Sequence, residues 1–253
     1  MKLGLQLFTL INYMKKPGGL KEVLGYAADA GYDGVEFAGF YGLPVSEIRA
    51  ELDRLGLEAA GIHLGWDNMS FQNLESNPAD VIGTAKKLGA KSVTVASYPG
   101  KDLADWENFG AKINEFGKLF RENGMRFGYH NHRIELKKLG NDYIIDIIMS
   151  KCAPENVFWE LDPRHVVVAG EDPVKFAAKY KDRSPFIHMR DIAKLTGPDT
   201  ADDSAVGDGI VDIPGVVRAS GHHDWLIVEE NSCPEILDHI KRSAKFLREN
   251  CIG

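Results

Sequence analysis

Histidine and carboxylate side chains stand beside apolar runs at several places in this sequence. The segment WELDPRHVVVAG (159–170) places Glu160, Asp162 and His165 next to a run of valines. Side chains of these types are seldom buried unless a partner offsets their polarity. Imidazole and carboxylate groups together bind Mn²⁺, Zn²⁺, Co²⁺ or Fe²⁺. Because the set contains no thiolate, we expect one Mn²⁺ ion, with Zn²⁺, Co²⁺ or Mg²⁺ as the alternatives.

The elements that must position these side chains alternate along the chain. Short runs rich in Val, Ile and aromatic residues, or bounded by turn residues, predict strands over 2–8, 34–39, 58–65, 91–97, 126–131, 157–162, 185–190 and 224–230. Amphipathic stretches predict helices over 20–31, 44–56, 78–89, 102–124, 142–151, 172–180, 213–220 and 234–250. This α/β alternation predicts a (βα)₈ TIM barrel, a single domain over residues 1–253. An open doubly wound sheet is disfavoured, because no glycine-rich phosphate loop follows an early strand.

The C-terminal ends of the strands form the active-site face of such a barrel. Polar residues lie at the ends of six of the predicted strands: Glu36, His63, His130, His132, Asp162, His188, Glu229 and, at the end of strand seven, Arg190. Alternation along a strand puts Glu160 and Asp162 on one face, with Glu160 one layer lower. Alternation does not choose between Glu229 and Glu230. This convergence predicts a metal site, and a salt-linked polar core without a metal is the alternative.

Several motifs resemble one known family. LDPRHVVVAG is similar to the LDxxHxxxAG stretch of the xylose-isomerase-like barrel superfamily, and IHMRD followed by GDGIVDIPGVV is similar to its HxxD…GxGxID segment. GYDGVEFAG, GIHLGW and YHNH match in place and order, and YHNH is typical of members called sugar phosphate isomerases/epimerases. The resemblance implies a divalent metal held by Asp162, His188 and Glu229. The family's fourth ligand, a glutamate that ends strand five, is replaced here by His130. Either His130 or Glu135 completes the set, and we predict Glu135.

The resemblance also implies a reaction. It implies a metal-dependent isomerase or epimerase of a ketose or keto-sugar, phosphorylated or not, which removes the proton next to a metal-bound carbonyl through an enediolate. Glu229, His130 and His132 are the candidate bases, since a histidine accepts protons near pH 7. Loss of a hydroxyl group at the same site would instead give a dehydratase or lyase of a keto-inositol or 3-keto-glycoside.

Other residues are predicted to contact the sugar: Glu36, His63, Trp66, His165 and Arg190. Phe8 and Trp66 would stack on its apolar face. Arg164 and Arg190 would clamp a phosphate, although arginines at such positions are more often salt-bridged. The connection over 191–212 is long for a compact domain, and its Gly, Asp and Ser content predicts a mobile lid.

Charge and composition exclude other classes of protein. The net charge of −7 opposes DNA binding and therefore an endonuclease IV-like repair enzyme. No apolar run approaches the roughly 20 residues of a membrane helix. Three well-separated cysteines predict reduced thiols and a cytoplasmic location. A small-molecule sugar is the expected partner. A non-catalytic sugar-binding barrel is a further alternative, and the oligomeric state stays open, a homo-oligomer included.

Overall fold

Eight parallel strands form one sheet in the computed structural model, which describes residues 1–198, 200–231 and 233–252. The barrel strands are β1 (Lys2–Gln6), β2 (Gly34–Phe37), β3 (Glu58–Leu64), β4 (Ser92–Val95), β5 (Arg126–His130), β6 (Phe158–Glu160), β7 (Phe186–Met189) and β8 (Trp225–Val228). Their spatial order is β6-β5-β4-β3-β2-β1-β8-β7. A parallel bridge between Leu161 and Ile187 joins the two edges. The predicted barrel is confirmed, and each strand lies inside its predicted range.

Helices cover the outside of the sheet. They are α1 (Ile11–Met14), α2 (Gly19–Asp29), α3 (Val45–Leu55), α4 (Phe71–Ser76), α5 (Pro78–Leu88), α6 (Leu103–Glu122), α7 (Ile144–Ser150), α8 (Pro163–Val168), α9 (Pro173–Lys179), α10 (Ile213–Ser220) and α11 (Ile236–Asn250). The sequence did not predict α1, α4 and α8. Four predicted helices end on a glycine in the left-handed conformation: Gly31, Gly56, Gly89 and Gly124.

The interior of the barrel changes from apolar to polar along the strands. Phe158, Phe186 and Trp225 belong to a separate apolar cluster near the start of their strands. The ring of Phe158 fills the space beside Gly128, where a Cβ atom would lie 2.4 Å from it. Two positions further along the strands the inward residues are polar and buried: Gln6, Glu36, His63, His130, Glu160 and His188. The aromatic rings therefore form a dry floor beneath a polar layer.

The 191–212 connection has secondary structure of its own. Strands Asp191–Gly197 and Thr200–Ser204 pair antiparallel as a hairpin, whereas the sequence predicted a loop. The Asp191 carboxylate accepts hydrogen bonds from the backbone N–H groups of Gly207, Gly209 and Val211. These bonds fix the segment that follows the hairpin. The movement of the 191–212 connection as a lid stays a prediction.

Smaller elements complete the structure. They are two 3₁₀ helices (Leu7–Leu10 and Ile134–Leu136) and a second hairpin (Lys138–Leu139 with Asp142–Tyr143). Within the described ranges, no helix combines the length and apolar character that crossing a membrane requires.

Candidate active site

Four side chains converge where four neighbouring strands end. His130, Asp162, His188 and Glu229 each offer one potential ligand atom, and these atoms lie within 4.8 Å of one another. They come from the ends of β5, β6, β7 and β8. All four residues are at least nine-tenths buried. Two imidazoles and two carboxylates at this spacing form a set that a divalent cation can bind. We call these four residues the ligand cluster.

Asp162 is held by both its backbone and its side chain. It is the N-cap of α8, where its Oδ1 accepts a hydrogen bond from the His165 backbone N–H at 3.3 Å. Its own N–H donates to Oδ1 of Asn131 at 2.9 Å, an atom that also accepts from Nε1 of Trp159. Asn131 thus fixes the end of β6 from β5. This role of Asn131 was not predicted from the sequence, although an amide between the two histidines of YHNH is a signal for it.

Glu135, the predicted ligand from strand five, lies outside the ligand cluster in the structure. The Tyr129 hydroxyl donates to Oε1 of Glu135 at 2.6 Å, and the His132 backbone N–H donates to Oε2 at 2.8 Å. The 3₁₀ turn at Ile134–Leu136 directs this carboxylate back onto its own strand. His130, the alternative, lies in the ligand cluster.

Two further imidazoles lie beside the ligand cluster. The ring centroid of His132 lies 5.0 Å from that of His130 and 4.9 Å from that of His165. Burial lowers the pKa of His132, and it lowers the pKa of His165 well below its usual value. Nδ1 of His132 and Nε2 of His165 form no hydrogen bond with the described residues. Both shifts favour the neutral form of the ring. Nε2 of His165 lies 3.7 Å from Oδ2 of Asp162, at the edge of the ligand cluster.

The electrostatics of the cluster call for positive charge. Burial opposes ionisation of His188, yet Glu160, Glu229 and Glu36 together raise its pKa well above the usual value. Burial also raises the pKa of Asp162, although Arg190 acts against this. Oδ2 of Asp162 is buried and has no hydrogen bond among the described residues. Positive charge is therefore favourable beside these carboxylates, and a protonated side chain or a bound cation can supply it.

Arg190 supplies part of that charge. Its Nη1 lies 3.5 Å from Oδ2 of Asp162 and 3.6 Å from Oε1 of Glu229. Burial raises the pKa of Glu229, but Arg190 and His188 outweigh it, so the pKa lies below its usual value. Nη2 of Arg190 lies 3.1 Å from Oδ2 of Asp203 in the hairpin, and Nε of Arg164 donates to the other oxygen at 2.6 Å. The salt-bridged alternative for the two arginines is therefore the one observed, through a residue that sequence reasoning missed.

Glu36 and His63, which are predicted to contact the sugar, lie one layer below the ligand cluster. Both are buried beneath the ligand cluster and contact protein groups. Nε2 of His63 lies 2.6 Å from Oε2 of Glu160 and 3.1 Å from Oε2 of Glu36. Strand alternation places all three in the layer below the mouth. Glu160 occupies the lower layer that its sequence position predicted.

Phe8 and Trp66 lie together after the ends of β1 and β3. Both rings are half-buried, and their centroids are 6.0 Å apart. The pairing keeps two aromatic faces at the C-terminal side of the barrel. Their stacking on a sugar stays a prediction.

Comparisons with known proteins show the family and the fold of this chain. The family model for the xylose isomerase-like TIM barrel matches residues 24–250. An inosose dehydratase from Lacticaseibacillus casei is 28% identical over 146 residues, 51% of this chain and 48% of that enzyme. The match thus spans about half of that relative's length.

Solved structures share the fold over nearly the whole chain. A sugar phosphate isomerase/epimerase from Parabacteroides distasonis has a TM-score of 0.81 and 20% identity, with 99% of this chain and 95% of that chain covered. The IOLI protein with a bound zinc atom has a TM-score of 0.76 and 15% identity, with 100% and 98% covered. The match of the family model over most of the sequence shows that this chain belongs to the xylose isomerase-like TIM barrel family.

Proposed function

We propose that this protein is a divalent-metal-dependent isomerase or epimerase that removes the proton next to the carbonyl of a ketose or keto-sugar. The observation that carries the proposal is the ligand cluster with two neutral imidazoles, His132 and His165, beside it. One group of residues suits a cation, and the other suits proton transfer and substrate binding. A non-catalytic binding barrel has no need of both.

The ligand cluster fits the proposed metal. Its donors are imidazole nitrogens and carboxylate oxygens, and the buried Oδ2 of Asp162 has no hydrogen bond within the described residues. A bound divalent ion would polarise the sugar carbonyl and offset the negative charge that forms when the adjacent carbon loses its proton. We propose Mn²⁺, with Zn²⁺ as the first alternative because the IOLI neighbour binds zinc.

Residues around the ligand cluster would transfer the proton, bind the sugar and stabilise the charge on its oxygens. Of the candidate bases, Glu229 and His130 are in the ligand cluster, which leaves His132 to accept the proton. His165, on the first turn of α8, would bond a sugar hydroxyl. The Arg190 guanidinium would stabilise negative charge on the substrate oxygens. The aromatic floor keeps the site dry, and this strengthens each of these interactions.

Dehydration of a keto-inositol is the second candidate. The Lacticaseibacillus casei relative is an inosose dehydratase, and β5 ends on an imidazole where an epimerase of this family carries a second carboxylate. After the same proton is removed, the C–O bond at the next carbon would break. The hydroxyl group would then leave as water, with a proton from the site. The two candidates share the first step and differ in the fate of the hydroxyl group.

Metal analysis combined with isotope exchange tests the proposal. The purified protein is loaded with Mn²⁺ or Zn²⁺ and incubated in D₂O with a panel of ketoses, their phosphates and keto-inositols. We expect one metal per chain and deuterium at the carbon next to the carbonyl of at least one substrate. Loss of water from a keto-inositol would select the dehydratase. A metal-loaded protein that exchanges no proton on any member of the panel contradicts both candidates.

Glu135→Gln tests the assignment of the ligand from strand five. We expect this variant to keep its metal, because both oxygens of Glu135 bind groups of its own strand. The amide would present a donor to the His132 N–H or to the Tyr129 hydroxyl, so the free energy of unfolding should fall by about 1–3 kcal/mol. Metal titration and urea unfolding measure the two effects. His130→Ala is the comparison and should lose metal affinity; the reverse pattern would make Glu135 the ligand.

A further inference from the structure

A chain of buried contacts lies behind His188 of the ligand cluster. Oε2 of Glu36 lies 2.8 Å from Nε2 of His188 and 3.1 Å from Nε2 of His63. The side-chain amide of Gln6 donates to the same oxygen at 2.7 Å. Glu36, His63 and His188 are all at least 95% buried. The carboxylate of Glu36 is therefore held by the protein on the side of His188 away from Glu229.

The two nitrogens of His188 face different partners. Nδ1 lies 2.8 Å from Oε2 of Glu229, while Nε2 lies 2.8 Å from Oε2 of Glu36. A ring nitrogen can bind a metal only through its lone pair, so the other nitrogen of the neutral ring carries the proton. Glu229 belongs to the ligand cluster and Glu36 does not, so Nδ1 is the nitrogen that faces this cluster. Nε2 is closest to Glu36 and lies 3.4 Å from Oε2 of Glu160. Nε2–H then donates to Glu36.

The fold makes room for Glu36 and fixes its direction. Glu36 is paired in register with Gln6 on β1 and with Gly61 on β3. A Cβ atom at Gly61 would lie 2.8 Å from Oε1 of Glu36 and 2.5 Å from Oγ of Ser92. Gln6 is fixed in turn, because its Oε1 accepts from the Phe8 N–H at 3.1 Å. Three neighbouring strands thus hold the carboxylate in one place.

We propose that Glu36 is a positioning residue that sets the tautomer and orientation of His188, so that Nδ1 is free to bind the metal. This inference rests on the proposed function only in that the ligand cluster binds a cation. A carboxylate that accepts the second N–H of a metal-binding histidine fixes the ring and makes its other nitrogen a better ligand. Glu36 therefore acts on the metal through His188 and does not contact the substrate.

The test has two measurements. The Zn²⁺ affinity is measured by competition with a chromophoric chelator. The tautomer of His188 is measured by long-range ¹H–¹⁵N spectra of the Zn²⁺-loaded protein labelled with ¹⁵N-histidine. Glu36→Ala should bind Zn²⁺ about 10- to 100-fold more weakly than the wild type. Glu36→Gln keeps an acceptor oxygen, so its Zn²⁺ affinity should lie between those of Glu36→Ala and the wild type. Glu58→Gln, an exposed carboxylate on β3 that pairs with Lys2, is the control and should bind as the wild type does.

The tautomer of His188 is a measurement that would not change if Glu36 had only a structural role. His188 in the wild type should carry its proton on Nε2, and its resonances are assigned by their loss in His188→Gln. The Nε2–H resonance should shift in Glu36→Gln, and this comparison decides the question even if Glu36→Ala does not fold. A proton on Nδ1, an unshifted Nε2–H in Glu36→Gln, or wild-type affinity in Glu36→Ala would overturn the proposal.

Two other outcomes separate this inference from a direct ligand role of Glu36 and from the proposed function. A second Zn²⁺ per chain that disappears in Glu36→Ala would overturn it, because Glu36 would then be a ligand. Absence of proton exchange on every sugar would contradict the proposed function alone. In that case a weakened affinity in Glu36→Ala, with the Nε2–H tautomer in the wild type, would still support the role of Glu36.

Discussion

Asp162→Ala should bind no metal and show no activity, while the barrel remains folded. The carboxylate is fully buried, and its Oδ2 forms no hydrogen bond with the described residues and lies 3.5 Å from Nη1 of Arg190. We therefore expect a metal cation to be the direct partner of this oxygen. Its removal leaves the ligand cluster with one carboxylate and two imidazoles. Metal analysis, circular dichroism and D₂O exchange measure the three parts of this prediction.

The control for Asp162→Ala must separate metal loss from loss of a helix cap. Asp162 caps α8, and replacing an N-cap residue by alanine costs about 1 kcal/mol. Asp172 caps α9 in the same way, through the N–H groups of Val174 and Lys175, but it is exposed. Asp172→Ala should lose a similar free energy of unfolding and keep its metal and activity. Full metal occupancy and turnover in Asp162→Ala would contradict the assigned site.

His132→Gln should keep the metal and lose about 10²- to 10⁴-fold in the rate of proton exchange, the usual contribution of a general base. His132 lies beside the ligand cluster, its Nδ1 has no hydrogen bond within the part of the chain that is described, and burial lowers its pKa. The neutral ring is the form that accepts a proton. Metal content and the single-substrate exchange rate distinguish this loss from loss of the ion.

The direction of the pKa shift also predicts the pH dependence of the wild type. Because the pKa of His132 is lowered, the base form persists at pH 7, and the rate should fall only as the pH drops below the ordinary histidine value of about 6.5. His222→Gln is the control for His132→Gln and should keep the wild-type exchange rate, since His222 is exposed and contacts Asp224 outside the site. A wild-type rate in His132→Gln would assign the proton transfer to another residue.

Local patterns in the sequence determined the barrel and the level of each inward residue. Strands and helices differ in the period of their apolar residues, and this period is read from neighbours in the chain. The same alternation put Glu160 one layer below Asp162, as the structure shows. The positions of Asp162, His188 and Glu229 at consecutive strand ends could therefore be predicted before any contact was known, with the family resemblance selecting Glu229.

Only the tertiary structure decided which side chains meet. His130 is the last residue of β5 and Glu135 follows in a 3₁₀ turn, which sends its carboxylate to Tyr129, while the imidazole of His130 lies in the ligand cluster. The contact of Glu36 with His188 joins residues 152 positions apart, and Asp203 reaches Arg190 only because a hairpin folds over the mouth. A pattern of period two fixes the face on which a side chain lies. Its partner depends on how distant strands and loops pack, and that information is not local to any segment.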